Sequence, residues 1–330
     1  MKNKTLTIKD IATMADVSVS TVSRVLNKKD RVNKETQKKV EKIISEYDYK
    51  PNHLAVSMIK KSFKTIYIMV PNCHNLFYAQ VIHGAEDICR QRGYNLLIYT
   101  SNDRIEDEVA FFNNSFTSIA DGLISIPVSM ETDHYKNYTK PIVTVDRYLD
   151  IFQTDSVVVD NVGGTELLVE HLIKKGHKNI AYIGSKPDST VARDRLNGYQ
   201  QAMFNNNLPL YPENVYLKDW TIEFGKEVIP KIYGRNDKNK PTAVICANSA
   251  ICVGALLNTK SLNISCPAEL ELVSFDDCDI ARYTDMTALD RPTVEMGEIA
   301  AQFILDRIEN KIATKIPQRI TLPVSLICRD

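Results

Sequence analysis

The chain has 330 residues, 44% hydrophobic and 25% charged, with 12 Gly and 13 Pro; this balance excludes a disordered or collagen-like polymer, and the length suits two or three compact units. No apolar run nears the roughly 18–20 residues that span a bilayer, and the polar opening MKNKTLTIKD lacks the apolar block of a secretory leader. A formal net charge of zero conceals a split, because residues 1–64 hold fifteen Lys and Arg against seven Asp and Glu and the remainder carries the matching acidic excess. A cationic head on an acidic body points to a nucleic-acid module joined to something else. Seven scattered cysteines without a C-x-x-C pair argue against a disulfide framework or a zinc site. The expectation is a cytoplasmic protein with reduced thiols.

The head predicts three short helices. Thr7 with Asp10 three residues later is a capping-box start, and Ile8, Ile11, Ala12 and Ala15 supply an apolar face. Asp16-Val17-Ser18 interrupts the pattern, and Ser18 caps a second helix. There Val22, Val25 and Leu26 recur at i, i+3 and i+4 and face inward, leaving Val19, Ser20, Ser23 and Arg24 outside. Asn33 caps a third helix with an inner stripe of Val40, Ile43, Ile44 and Tyr47. Two short helices around a tight turn, with small and cationic groups on the second, fit a major groove. A merely solvated helix face is the alternative for each outward residue.

From Thr65 the pattern alternates: strands at 66–70, 95–99, 122–126 and 141–145 flank helices at 79–92 and 106–118. It restarts after 156–160, with helices at 163–175, 193–205, 223–232 and 251–260 between strands at 180–184, 215–217, 243–247 and 271–275. Such alternation predicts parallel sheets wound by helices. Two successive sets predict two lobes with a cleft where the carboxyl ends of the strands converge.

The stretches Thr7-Ile8-Lys9-Asp10-Ile11-Ala12, Ala15-Asp16-Val17-Ser18, Thr21-Val22-Ser23-Arg24-Val25-Leu26-Asn27 and Tyr49-Lys50-Pro51-Asn52 resemble the N-terminal signature of the lactose-repressor (LacI/GalR) family of bacterial transcription regulators. Further along, Asp121-Gly122-Leu123-Ile124, Val145-Asp146-Arg147, Arg193-Asp194-Arg195-Leu196-Asn197-Gly198-Tyr199 and Val273-Ser274-Phe275-Asp276-Asp277 resemble that family's effector domain. The resemblance implies an all-α helix-turn-helix DNA-binding domain at 1–50, a hinge helix or linker at 51–64, and an α/β two-lobed, type I periplasmic-binding-protein-like domain at 65–330. The alternative for the linker is a flexible tether, Lys60-Lys61-Ser62-Phe63-Lys64, with only electrostatic contact to DNA. Lobe 1 is expected at 65–160 and 293–322, and lobe 2 at 161–291 and 323–330. Asp16 stands where the family usually has Gly; Asp tolerates left-handed backbone better than most residues, so the turn should survive.

By that resemblance the base readers are Val19, Ser20 and Arg24, with Thr7, Thr21, Ser23, Asn27 and Thr36 as phosphate contacts. Met58 stands at the position of the family's minor-groove wedge, preceded by Leu54 and Ala55. Effector contacts fall on Phe77 and Trp220, which would pack on a ring, and on Asp146, Arg195, Asn248 and Asp276, which would hold its polar groups. Two departures matter. Ser249 replaces an Asp after Asn248, and Arg291 replaces a Gln before Pro292. One carboxylate lost and one cation gained predict a more positive cleft and an anionic ligand, unless Arg291 pairs with Asp290 or Asp285.

The function this implies is a regulator, most simply a repressor, that binds a palindromic operator in double-stranded DNA as a homodimer under control of a sugar or phosphorylated sugar. No cofactor, metal or membrane is called for. An enzyme is the rival class, but G-x-S-x-G, H-E-x-x-H and both phosphate-loop patterns are absent from the sequence. A free-standing binding protein would need an export signal. Neither rival accounts for the cationic head. A C-terminal leucine heptad for tetramers is not seen.

Overall fold

The structure, a computed structural model, describes residues 6–27, 32–49, 62–130, 133–149, 154–312, 314 and 316–329. It divides into two compact units, Met1–Phe63 and Lys64–Asp330.

The first unit packs α1 (Ile8–Ala15), α2 (Val19–Leu26) and α3 (Lys34–Glu46) around Ile11, Ala12, Ala15, Val22, Val25 and Val40. Its boundaries follow from capping chemistry. The Thr7 side chain accepts from the Asp10 N–H while Asp10 accepts from the Thr7 backbone, and the Ser18 hydroxyl accepts from the Thr21 N–H. Asp16 takes φ 55° and ψ 48°, so the left-handed turn forms without glycine. Tyr47 departs from the expected stripe. It is 47% exposed at the C-cap of α3, and Tyr49 packs on the core instead, its N–H bonded to the Ile44 carbonyl. The 3.6-residue period stops predicting faces once the helix ends.

The second unit contains two six-stranded sheets. In lobe 1, β1 (Thr65–Val70), β2 (Asn95–Thr100), β3 (Gly122–Ser125), β4 (Ile142–Val145), β5 (Asp155–Val159) and β11 (Arg319–Leu322) form a wholly parallel sheet in the order β11-β5-β4-β3-β1-β2. In lobe 2, β6 (Ile180–Ser185), β7 (Val215–Lys218), β8 (Ala243–Cys246), β9 (Glu271–Ser274), β10 (Ala288–Asp290) and β12 (Ser325–Ile327) run β12-β10-β9-β8-β6-β7, with only β12 antiparallel. The central strands are buried along their whole length, as parallel strands covered on both faces must be.

Around these sheets lie α4 (Leu76–Gln91), α5 (Ile105–Asn113), α6 (Asn161–Lys174), α7 (Thr190–Asn205), α8 (Ile222–Tyr233), α9 (Ser249–Ser261), α10 (Asp279–Tyr283) and α11 (Thr293–Ile308). The chain passes between lobes from β5 into α6, from β10 into α11, and from β11 into β12. The expected helix at 106–118 is two elements. α5 ends at Asn113, Asn114 is extended, and a 3₁₀ turn follows at Ser115–Ile119. The Asn-Asn-Ser run explains the break, because these side chains compete for backbone hydrogen bonds.

Candidate functional site

The outer face of α2 is built by its cap. The Ser18 hydroxyl lies 2.7 Å from that of Ser20 and 2.8 Å from that of Thr21, while Val19 is 40% exposed. Ser20 and Arg24 are exposed, and Ser23 and Thr21 half-buried. Not every expected contact is equally free. Thr7 is engaged with Asp10, and the Asn27 amide donates to the Ser23 carbonyl at 2.7 Å. Thr36 is half-buried on α3. Leu54, Ala55 and Met58 lie outside the described residues.

In the second unit, all seven expected effector contacts line one 80 Å³ cavity between the lobes, together with Asn72, Asn75, Tyr78, Asp103, Arg147 and Val191. Local structure places each of them. Phe77 sits in the first turn of α4, behind the Asn75 cap. Asp146 follows β4 with φ 64°, a costly backbone for a β-carbon residue and one that collects at functional positions. Asn248 caps α9 through its Oδ1, which accepts from Ile251 N–H at 2.8 Å. Asp276 follows β9, and its Oδ2 accepts the Ser249 N–H at 2.8 Å. It therefore supports the start of α9 and faces the cavity as well.

Arg195, on α7, is nearly fully buried. Its Nε donates to Asn161 Oδ1 at 2.8 Å, its Nη1 to the Ala247 carbonyl at 2.6 Å, and its guanidinium carbon lies 3.6 Å from the Phe275 ring centroid. Burial, then the neighbouring Arg291, pulls its pKa down to about 10. In the same cavity, burial pushes the Tyr78 hydroxyl up to about 12.

Arg291 corrects the expectation drawn from its sequence neighbours. It pairs with neither Asp290 nor Asp285. Its Nη1 donates to Asp146 Oδ1 at 3.2 Å, its Nη2 stands 2.6 Å from Asp276 Oδ1, and its guanidinium lies 4.0 Å from the Phe77 ring centroid. The added cation thus lies between two carboxylates, one from each lobe. Arg147 is likewise matched, 2.9 Å from Asp103. With Asp103, Asp146 and Asp276 facing Arg147, Arg195 and Arg291, the cavity is balanced rather than positive.

A second tie between the lobes escaped the sequence reading. The Tyr148 N–H donates to Thr190 Oγ1 at 3.1 Å, and its hydroxyl donates to Asp194 at 3.2 Å while accepting from Arg193 at 2.7 Å. Tyr148 directly follows the Val145-Asp146-Arg147 run, which was the one available signal.

Residues 7–52 match the model of bacterial regulatory proteins, lacI family, and residues 169–330 match the periplasmic binding protein-like domain. The HTH-type transcriptional regulator RegA of Clostridium saccharobutylicum is 34% identical over 311 residues, covering 92% of this chain and 93% of its own. The chain belongs to the lacI family of bacterial regulatory proteins. Among solved structures, the CelR–cellobiose complex of a transcriptional regulator superposes with a TM-score of 0.74 at 25% identity, covering 98% of this chain and 99% of that one. A lac repressor dimer bound to operator and the anti-inducer ONPF gives 0.82 at 24% identity, covering 99% and 98%, and so shares the fold.

This lacI-family member is therefore a DNA-binding transcriptional regulator, made of a helix-turn-helix unit and a periplasmic-binding-protein-like unit. Among the described residues, no helix is long and apolar enough to cross a membrane, and no group of His, Cys, Asp and Glu is placed to hold a metal ion.

Proposed function

We propose that this regulator represses transcription as a homodimer on a palindromic operator, reading bases with Val19, Ser20 and Arg24 and answering to a sugar-class effector held by Phe77, Asp146, Arg195, Trp220, Asn248 and Asp276 in a cleft that Arg291 also lines. The observation that carries the effector reading is the convergence of these seven residues, drawn from both lobes and a crossover, on one cavity. Aromatic faces beside carboxylate, guanidinium and amide groups meet the two needs of a sugar, an apolar ring face and partnered hydroxyls. The relative solved with cellobiose bound adds support.

A ligand held by groups from both lobes changes their relative arrangement only through its differential affinity for two conformations. Two heads are needed because one recognition helix reads too few base pairs for useful specificity. The deciding experiment combines calorimetric titration of the full chain with neutral and phosphorylated sugars and gel-shift titration against DNA from its own upstream region. Binding of a sugar that alters operator affinity is expected. Phe77→Ala should weaken the sugar and spare operator binding measured without it. A protein that preferred no genomic fragment over random duplex, with or without sugar, would refute the reading.

A further inference from the structure

The 80 Å³ chamber is far below the about 300–1,000 Å³ of ordinary small-molecule sites. A 370 Å³ crevice adjoins it on one side, lined by Gln80, Ser249, Arg282 and Glu295 among others, and shares with it Asn75, Phe77, Asp276 and Arg291; a 360 Å³ space on another side shares Asp103, Arg147 and Trp220. Asn75 and Asp276 are fixed by helix-start hydrogen bonds and Phe77 by the turn that Asn75 caps. Arg291 is the long, unbranched member of this wall, and it enters from the β10–α11 crossover. Its planar cation lies on the Phe77 ring and between Asp146 and Asp276, contacts a ligand ring would otherwise make. The Asp276 contact is close but not a directed hydrogen bond, since Asp276 Oδ1 has no hydrogen-bond partner among the described residues.

We propose that Arg291 is the gate and specificity-determining residue of the cleft: an internal stand-in for the ligand that bridges the lobes and must swing aside before a ring of sugar size can occupy chamber and crevice together. This rests on the effector reading above. Removing Arg291 from the wall joins chamber and crevice into one space of ligand size. The groups then released are two carboxylates and an aromatic face, which accept hydroxyl donors and an apolar ring surface. An anion would meet the two freed carboxylates, and only Arg195 would stand unmatched against it. The ligand class selected is a neutral polyhydroxylated ring. The competing internal bridge lowers its apparent affinity by the fraction of time the gate stands open.

Trp220, the only tryptophan of the sequence, lines both the chamber and the 360 Å³ space beside it, so the rise above its wild-type quenching is what reports on the gate. In the ligand-free full chain, Arg291→Gln should raise acrylamide quenching of Trp220 roughly twofold, whereas Arg291→Lys should stay near wild type by keeping a cation between the carboxylates. Unchanged quenching in Arg291→Gln, with circular dichroism of the folded chain intact, would overturn the gate. Titration of the same samples with D-ribose, cellobiose and glucose 6-phosphate gives a second readout. Any neutral sugar bound by wild type should bind Arg291→Gln about tenfold tighter. Equal or weaker binding would make Arg291 an ordinary ligand contact and overturn the gate while leaving the sugar reading standing. If quenching rises and none of the three binds either protein, the gate stands and the sugar reading falls. Tightest binding of glucose 6-phosphate by wild type, lost in Arg291→Gln, would overturn the selectivity for neutral rings.

Discussion

Gly84 of α4 and Gly297 of α11 let these two helices meet backbone to backbone: a β-carbon on Gly84 would run into the Val294 carbonyl, and one on Gly297 into the Val81 carbonyl. The obstacle in each case is main chain, which cannot rotate away as a side chain can. Gly84→Ala or Gly297→Ala should therefore cost about 1–3 kcal/mol by overpacking, although Ala is the better helix former. Urea unfolding followed by Trp220 fluorescence tests this; a variant as stable as wild type would show that the helices can separate freely.

In the head, Ser18 caps α2 and touches the hydroxyls of Ser20 and Thr21. Ser18→Ala should lower the unfolding free energy of that unit by about 1 kcal/mol, and Ser18→Asp, which can still cap, should restore most of it. Thermal unfolding followed by circular dichroism distinguishes the two.

Ser20→Ala removes an exposed hydroxyl from the face assigned to the bases. Discrimination between operator and random duplex should fall by about 1 kcal/mol, with non-specific affinity nearly unchanged. Lys60→Ala, in the cationic 51–64 linker and outside the described residues, should instead weaken both alike and flatten the dependence of affinity on salt. Gel shifts at several salt concentrations separate these patterns, and an unchanged specificity ratio in Ser20→Ala would exclude it as a base contact.

Glu271 supplies a pH dependence of stability. Burial pushes its carboxyl up, but Lys175 and His177, each at 2.8 Å, outweigh this and hold its pKa below the ordinary 4.5. A carboxylate held low in the folded state adds stability above its unfolded value and loses it as pH falls through the folded value. The stability gap between wild type and Glu271→Gln should be largest near about pH 7 and shrink toward about pH 3. A gap that stayed constant over that range would assign the effect to packing.

Legibility in the sequence followed the range of the forces involved. Caps act within three residues, so Thr7, Ser18 and Asn33 could be read directly, and the left-handed Asp16 followed from side-chain chemistry. The alternation of strand and helix gave the two lobes, but strand order depends on pairing between segments far apart in the chain. The short β10, β11 and β12 were not anticipated, and neither was α11, whose sixteen residues follow the last element that the alternation marked. Arg291 shows the limit most plainly. Proximity in sequence favoured Asp290 and Asp285, whereas its partners are Asp146 and Asp276, brought to it by two sheets that no local pattern encodes.

The pairing of β11 with β5 and of β12 with β10 has a consequence for biosynthesis. Residues 319–327 give each sheet an edge strand, so neither lobe is finished until that stretch has left the ribosome. A nascent chain halted before that point exposes two unpaired strand edges at once, and a truncation there damages both halves of the body rather than one.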